Sequence, residues 1–206
     1  MPGHERLSVV KDRELVEKRR SQMIKGAMKL FKEKGFHKTT TREIAKESGF
    51  SIGTLYEYIR QKEDVLFFVV DAIYNQVRSK LEEAIDLQHA PVENLIRVVK
   101  AYFDIMNDMQ EEVLIMYQEV KSLQKDSQDY VLQKERDMVD MLKNVIMDCL
   151  PENLSMTDAE LLANNIFVQG QMWGFRRWIL QKQCTLNEYV DRQTSYLLRV
   201  LQVSPI

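Results

Sequence analysis

Apolar residues recur along this chain at helical spacing. Ile24, Ala27, Met28 and Phe31 fall at i, i+3, i+4 and i+7, a single stripe on an otherwise basic segment. Leu66, Val69, Val70, Ile73, Val77, Leu81 and Ile85 hold the same period over a long stretch, and Leu186, Tyr189, Val190, Gln193, Leu197, Val200 and Leu201 make a mostly apolar face near the end. No alternating Val/Ile/Thr-rich segment argues for a strand. The pattern predicts an all-α chain of nine helices joined by short turns.

Punctuation sets the expected boundaries. Helix 1 should run from about Asp12 to Lys34 and stop at Gly35, a residue suited to a left-handed C-terminal position. Thr40 with Glu43 is a capping box opening helix 2, and Gly49 ends it. Ser51 is the expected N-cap of a short helix 3, from Ile52 to Tyr58. Helix 4 starts near Lys62, with Glu63 and Asp64 suiting its positive end. Pro91 suits the first turn of helix 5, which ends near Met109. Helix 6 covers roughly Glu111 to Leu123, and helix 7 follows Asp126 to Leu150, before Pro151. Thr157 with Glu160 reads as a capping box for helix 8, reaching about Gln181. Thr185 with Glu188 reads as another for helix 9.

Charge divides the chain where the pattern does. The net charge of −2 over 206 residues conceals two unequal parts. Residues 1–62 hold 15 Lys+Arg against 8 Asp+Glu, and residues 63–206 hold 14 against 23, so +7 and −9 sum to −2. A basic N-terminal third on an acidic remainder is expected of a chain that meets a polyanion with one end; a solvated basic helix face gives the same count.

Composition excludes several classes. Cys149 and Cys184 lie far apart with no CxxC, so free thiols and no metal site are expected. The longest apolar run, Val65 to Val70, is too short to span a bilayer, and the charged start MPGHERLSVVKDRE carries no apolar leader region. A soluble, cytoplasmic protein without cofactor is expected. His4, His37 and His89 stand in no Ser/His/Asp or Cys/His arrangement, and no phosphate loop or HExxH motif occurs, so no catalytic residue is expected.

The stretch between Thr40 and Lys62 carries the chemistry. Helix, short turn with Gly49 and short helix is the spacing of a helix-turn-helix, whose second helix enters the DNA major groove. Gly53 lacks a Cβ, so the start of helix 3 can approach a phosphate or base closely. Ser51 and Thr54 offer hydroxyls there, and Tyr56 and Tyr58 carry phenolic donors on different faces. Leu55 and Ile59 should pack inward.

Beyond the spacing, Gly35 to Leu66 resembles the DNA-binding domain of the tetracycline-repressor (TetR) family of bacterial transcriptional regulators. The residues that carry the resemblance are Thr40, Thr41, Ile44, Ala45, Gly49, Phe50, Ser51, Gly53, Thr54, Leu55, Tyr56, Tyr58, Ile59 and Lys62. Phe50 replaces the usual Val and Ile59 the usual Phe, which reads as compensating core repacking. The resemblance implies a three-helix DNA-binding domain over residues 1–62 and a helical ligand-binding and dimerisation domain over 63–206. It implies phosphate contacts from Thr41, Tyr56, Tyr58 and Lys62, a base contact from Arg42, and contacts to bases and backbone from Ser51, Ile52, Gly53 and Thr54. Ile52, apolar where a base reader is common, either meets a thymine methyl or packs.

The same resemblance implies a homodimer through helices 8 and 9 on a palindromic operator of double-stranded DNA, acting as a repressor. A small, largely apolar inducer would lie among the Met and aromatic residues of the middle helices: Tyr102, Phe103, Met106, Met116, Tyr117, Met138, Met141, Phe167, Gln169, Met172 and Trp173. Such residues are also what a plain core uses. The segment from Gly174 to Val190 is loosely similar to regulators that sense fatty acyl-CoA, which makes an acyl-CoA or fatty acid the named candidate. Arg176 and Arg177 would meet a phosphate or carboxylate, or else form surface or interface salt bridges. The alternatives to a regulator are a helical interaction module without inducer control, and an enzyme.

Overall fold

A computed structural model of the chain describes residues 3–86, 88–149, 152 and 154–202, with side chains from residue 13 onward. The described residues form ten α-helices and one 3-10 helix, and no strand. The helices are α1 (Gly3–Lys34), α2 (Thr41–Glu47), α3 (Ile52–Tyr56), α4 (Lys62–Ala84), α5 (Pro91–Asp108), α6 (Gln110–Glu119), α7 (Lys125–Met147), α8 (Met156–Phe175), α9 (Arg177–Gln183) and α10 (Leu186–Val200). The 3-10 turn, Val120–Ser122, follows α6. None of the described helices is long and apolar enough to cross a membrane.

Two expectations are corrected. The segment read as one helix from Thr157 to Gln181 is two, because Arg176 leaves helical geometry at φ −110° and ψ 24°. Neither a proline nor a capping residue marks that break. The box that opens α8 is Ser155 with Asp158, where Asp158 N–H donates to Ser155 Oγ (3.3 Å) and Ser155 N–H to Asp158 Oδ2 (2.7 Å). Two Ser/Thr-x-x-acid frames overlap here, and the earlier one wins. The boxes Thr40/Glu43 and Thr185/Glu188 form as expected. The expected end of helix 7 at Leu150 and Pro151 lies outside the described residues.

The chain forms two compact units, dividing within α4 between Ala72 and Ile73. The first comprises residues up to 72 together with 115–128. Its core is Met23, Ala27, Phe31, Phe36, Ile44, Leu55, Ile59, Val65, Leu66, Val69 and Val70, all buried. The buried stripe of α1 is thus Met23, Ala27, Leu30 and Phe31, one position round from the expected one; Ile24 and Met28 are only half-buried. Arg19 and Arg20 lie over the rings of Phe50 (5.0 Å) and Phe68 (4.4 Å), and Arg20 also pairs with Asp71 (3.7 Å).

The second unit comprises residues 73–114 and those from 129 onward. In it α5 packs against α8 and α10. Tyr102 is fully buried, its ring 4.5 Å from that of Phe167 and its hydroxyl donating to the Phe167 carbonyl (3.0 Å). The ring lies where a side chain at residue 170 would go: a Cβ on Gly170 would sit 2.3 Å from Tyr102 Cε1. Trp173 donates its indole N–H to Asn107 (2.9 Å), and Tyr189 closes the cluster with its ring 5.2 Å from Trp173.

Candidate nucleic-acid interface

Three local devices build the α2–turn–α3 unit. Thr40 caps α2 through its reciprocal bonds with Glu43. Lys34 also donates to Glu43, and these partners, Lys34 foremost, hold its carboxyl down to about 2. Gly49 then turns the chain at φ +74°, a left-handed value that a residue with a Cβ adopts only with strain, and its N–H returns to Lys46 O (3.1 Å). Ser51 caps α3, accepting the Thr54 N–H (3.0 Å), and its hydroxyl meets that of Thr54 at 2.9 Å. Leu55 and Ile59 point inward, 0% and 4% exposed, and anchor α3 to the core.

Fixing one side of α3 leaves the other free. Ser51, Ile52, Gly53 and Tyr56 are exposed along it, Ile52 at 38% and Tyr56 at 51%, so Ile52 is not a core residue. Thr54 is half-buried. Gly53 has ordinary helical φ, and a Cβ there would come no nearer than 3.7 Å to any atom outside its immediate neighbours. Nothing among the described residues therefore requires glycine at that position. The Tyr56 hydroxyl lies 3.3 Å from Thr41 Oγ1, which brings together two groups assigned to phosphate from positions fifteen residues apart. Arg42 stands exposed beside them, and Lys38, Lys46 and Arg60 are exposed in the same unit.

Two expected contacts look different in place. Tyr58 is half-buried with its ring stacked on Phe50 (6.5 Å between centroids), so it braces the turn. Lys62 directs its ammonium to the carbonyl oxygens of Phe36 (3.0 Å), Thr39 (3.0 Å) and His37 (3.4 Å). Sequence reading missed the pairs Lys29–Glu47 (2.6 Å) and Lys34–Glu43, which occupy two of the basic residues counted toward DNA. No spacing rule reveals such pairs between separate helices.

The residues assigned to a ligand pocket are not brought into one unit. Met116, buried, and Tyr117, 64% exposed, belong to the first. In the second, Tyr102, Phe103, Met106, Met138, Phe167 and Trp173 are buried, and Met141, Gln169 and Met172 half-buried. Two clefts lie on the second unit, and of the assigned residues only Gln169 lines either. One, of about 260 Å³ between α7 and α8, holds Leu132, Glu135, Arg136, Val139, Asp140, Glu160 and Asn164. Burial pushes the Glu135 carboxyl up, against the Tyr74 hydroxyl that donates to it at 3.4 Å. The other, of about 130 Å³ between α8 and α10, includes Gln169, Tyr196 and Val200. Around it α8 and α10 expose Leu161, Val168, Tyr196 and Val200. Arg176 and Arg177 are exposed. Both cysteines are free, and burial pushes the Cys149 thiol up to about 11. Among the described residues, no group of three His, Cys, Asp or Glu side chains is placed to hold a metal.

Known proteins agree with this geometry. Residues 23–68 match the family described as bacterial regulatory proteins, tetR family, and residues 88–182 match the tetracyclin repressor-like C-terminal domain. The chain is 31% identical over 185 residues to the HTH-type transcriptional regulator HbdR of Aromatoleum sp. (strain CIB), covering 89% of this chain and 81% of that one. A tetR-family regulatory protein from Rhodococcus RHA1 superposes with a TM-score of 0.76 at 21% identity, over 91% of this chain and 98% of that one. AibR, solved in complex with isovaleryl coenzyme A and operator DNA, gives a TM-score of 0.70 at 19% identity, over 86% and 97%. With a helix-turn-helix that leaves one edge of α3 exposed, and a relative this similar along most of its length, the chain belongs to the TetR family and is a DNA-binding transcriptional regulator, not an enzyme.

Proposed function

We propose that the chain is a repressor that binds a palindromic operator as a homodimer and leaves it when a small, largely apolar inducer binds. The observation that carries the DNA half is the outer edge of α3. Gly53 has no conformational need to be glycine and no neighbour that forbids a Cβ, so its bareness serves a surface from outside the chain. Ser51, Ile52, Gly53 and Thr54 would meet bases and backbone, with Ile52 on a thymine methyl. Arg42 would read a base edge, and Thr41, Tyr56 and the Tyr58 edge would hold phosphates.

The exposed apolar residues of α8 and α10 support a dimer face, the counterpart of the expected pair of C-terminal helices. Two such chains would present recognition helices to half-sites about 34–36 Å apart. For the inducer, AibR supplies an acyl-CoA precedent at the level of a shared fold. The Met-rich and aromatic middle helices suit an acyl chain or fatty acid. A ligand that favours the DNA-incompetent arrangement by ~1–3 kcal/mol would lower operator affinity about 5–150-fold. Helix α4, continuous from the recognition unit into the second, is the element whose tilt would carry that change. The protein would act in the cytoplasm, where the operator is.

Selection of bound fragments from genomic DNA, followed by salt titration on the winning duplex, tests this reading. A palindromic site whose affinity falls steeply with salt is expected. Absence of any preferred site would contradict it.

A further inference from the structure

Lys62 opens α4 and is the last residue of the motif. The resemblance assigns its ammonium to a DNA phosphate, but its surroundings describe a different task. An ammonium has three N–H donors and no acceptor. Here it faces three carbonyl oxygens, those of Phe36, His37 and Thr39, and its Nζ also lies 4.2 Å from the centroid of the Phe36 ring. Donors and acceptors match one for one, and each bond is strengthened by the charge.

Those carbonyls belong to the loop between α1 and α2. The loop is held elsewhere too. Gly35 turns it at φ +81°, and Thr39, 1% exposed, bonds through its hydroxyl to Gly35 O (2.9 Å) and through its N–H to Phe36 O (3.1 Å). From the last residue of α6, Glu119 Oε2 reaches His37 Nε2 at 3.3 Å. The residue that follows Thr39 is Thr40, the N-cap of α2, and the next two are Thr41 and Arg42. Whatever fixes the loop fixes where those two side chains start.

We infer that Lys62 is a positioning residue for DNA binding: it sets the α1–α2 loop, and through it Thr41 and Arg42, and neutralises no phosphate itself. This rests on the DNA-binding reading above. Contact with a phosphate would require the ammonium to leave three carbonyl oxygens, one of them next to a buried Thr39.

The test uses the full chain, as wild type, Lys62→Met and Lys62→Arg, on the duplex selected from genomic DNA, with affinity measured across a salt series. A phosphate contact adds about one unit to the slope of log affinity against log salt. A positioning residue adds none. The expected result is a loss of about tenfold or more for Lys62→Met at every salt concentration, with the wild-type slope retained. Lys62→Arg should lose affinity as well, because a planar guanidinium keeps the charge but does not fit three converging carbonyls. A slope reduced by about one unit in Lys62→Met, or wild-type affinity in Lys62→Arg, would overturn the inference. Amide hydrogen exchange over residues 36–47 gives a reading independent of DNA. Faster exchange there in both variants, with the rest of the chain unchanged, is expected; unchanged exchange would also overturn it. Failure of the wild type to bind any duplex defeats the DNA-binding reading instead, and the exchange result still decides the role of Lys62.

Discussion

Gly53 and Gly170 sit in different units and are glycine for opposite reasons. In the second unit, Gly170 lets the Tyr102 ring cross α8, where any Cβ would lie 2.3 Å from ring carbon. In the first, a Cβ on Gly53 would make only an ordinary contact, 3.7 Å from Ser51 Oγ. One glycine answers to the interior, the other to a partner. The same contrast runs through both units. The DNA-reading residues stand on an exposed edge held from behind by Leu55 and Ile59, whereas most residues assigned to the ligand are themselves interior packing.

The largest expected effect is on the packed side. Tyr102→Ala should cost ~3–5 kcal/mol in urea unfolding, since it empties the centre of the α5–α8 contact and removes the hydroxyl that donates to the Phe167 carbonyl. A loss under about 1 kcal/mol would show that the cluster is loosely filled, and would favour a ligand space at Tyr102. Gly170→Ala should cost ~1–3 kcal/mol by overpacking, read in the same experiment.

On the exposed side the effects move from stability to binding. Arg42→Ala should weaken operator binding by ~1–3 kcal/mol if it reads a base, and relax preference at one position of the site. Its melting temperature should stay at the wild-type value. A uniform loss across all sequences would reassign Arg42 to phosphate.

How far each unit could be read from sequence follows from where its causes lie. The helix-turn-helix was readable because its causes are local. Thr40 and Glu43 are three residues apart, Gly49 supplies its own turn, and Ser51 caps its own helix. The role of Lys62 was not, because its partners lie 23–26 residues away and are backbone carbonyls, which carry no sequence signature. The break at Arg176 was equally silent, and two overlapping capping frames before α8 could be separated only by geometry. In the second unit, periodicity finds helices but cannot tell a Met or Phe that lines a ligand from one that fills a core. Met116 and Tyr117 illustrate this: adjacent and chemically alike, one is buried and the other is open to solvent.

The smallest effect concerns pH. Glu43 is held at about 2 in the folded chain against an ordinary 4.5, so its contribution to the start of α2 is present above about 4.5 and lost as pH falls through about 2. Exchange of the α2 amides should accelerate across that window in the wild type, and Glu43→Gln should flatten the dependence. Because Glu43 and its partners face solvent, global unfolding should change little.

The central claim is that the bare edge of α3 is shaped by DNA. It is tested most directly by the affinity of Gly53→Ala for the selected operator. The account predicts a loss of about tenfold or more, the size of one spoiled close contact, in a protein at least as stable as wild type. Wild-type affinity in Gly53→Ala would contradict it, because a glycine that nothing among the described residues requires would then have no partner outside the chain either.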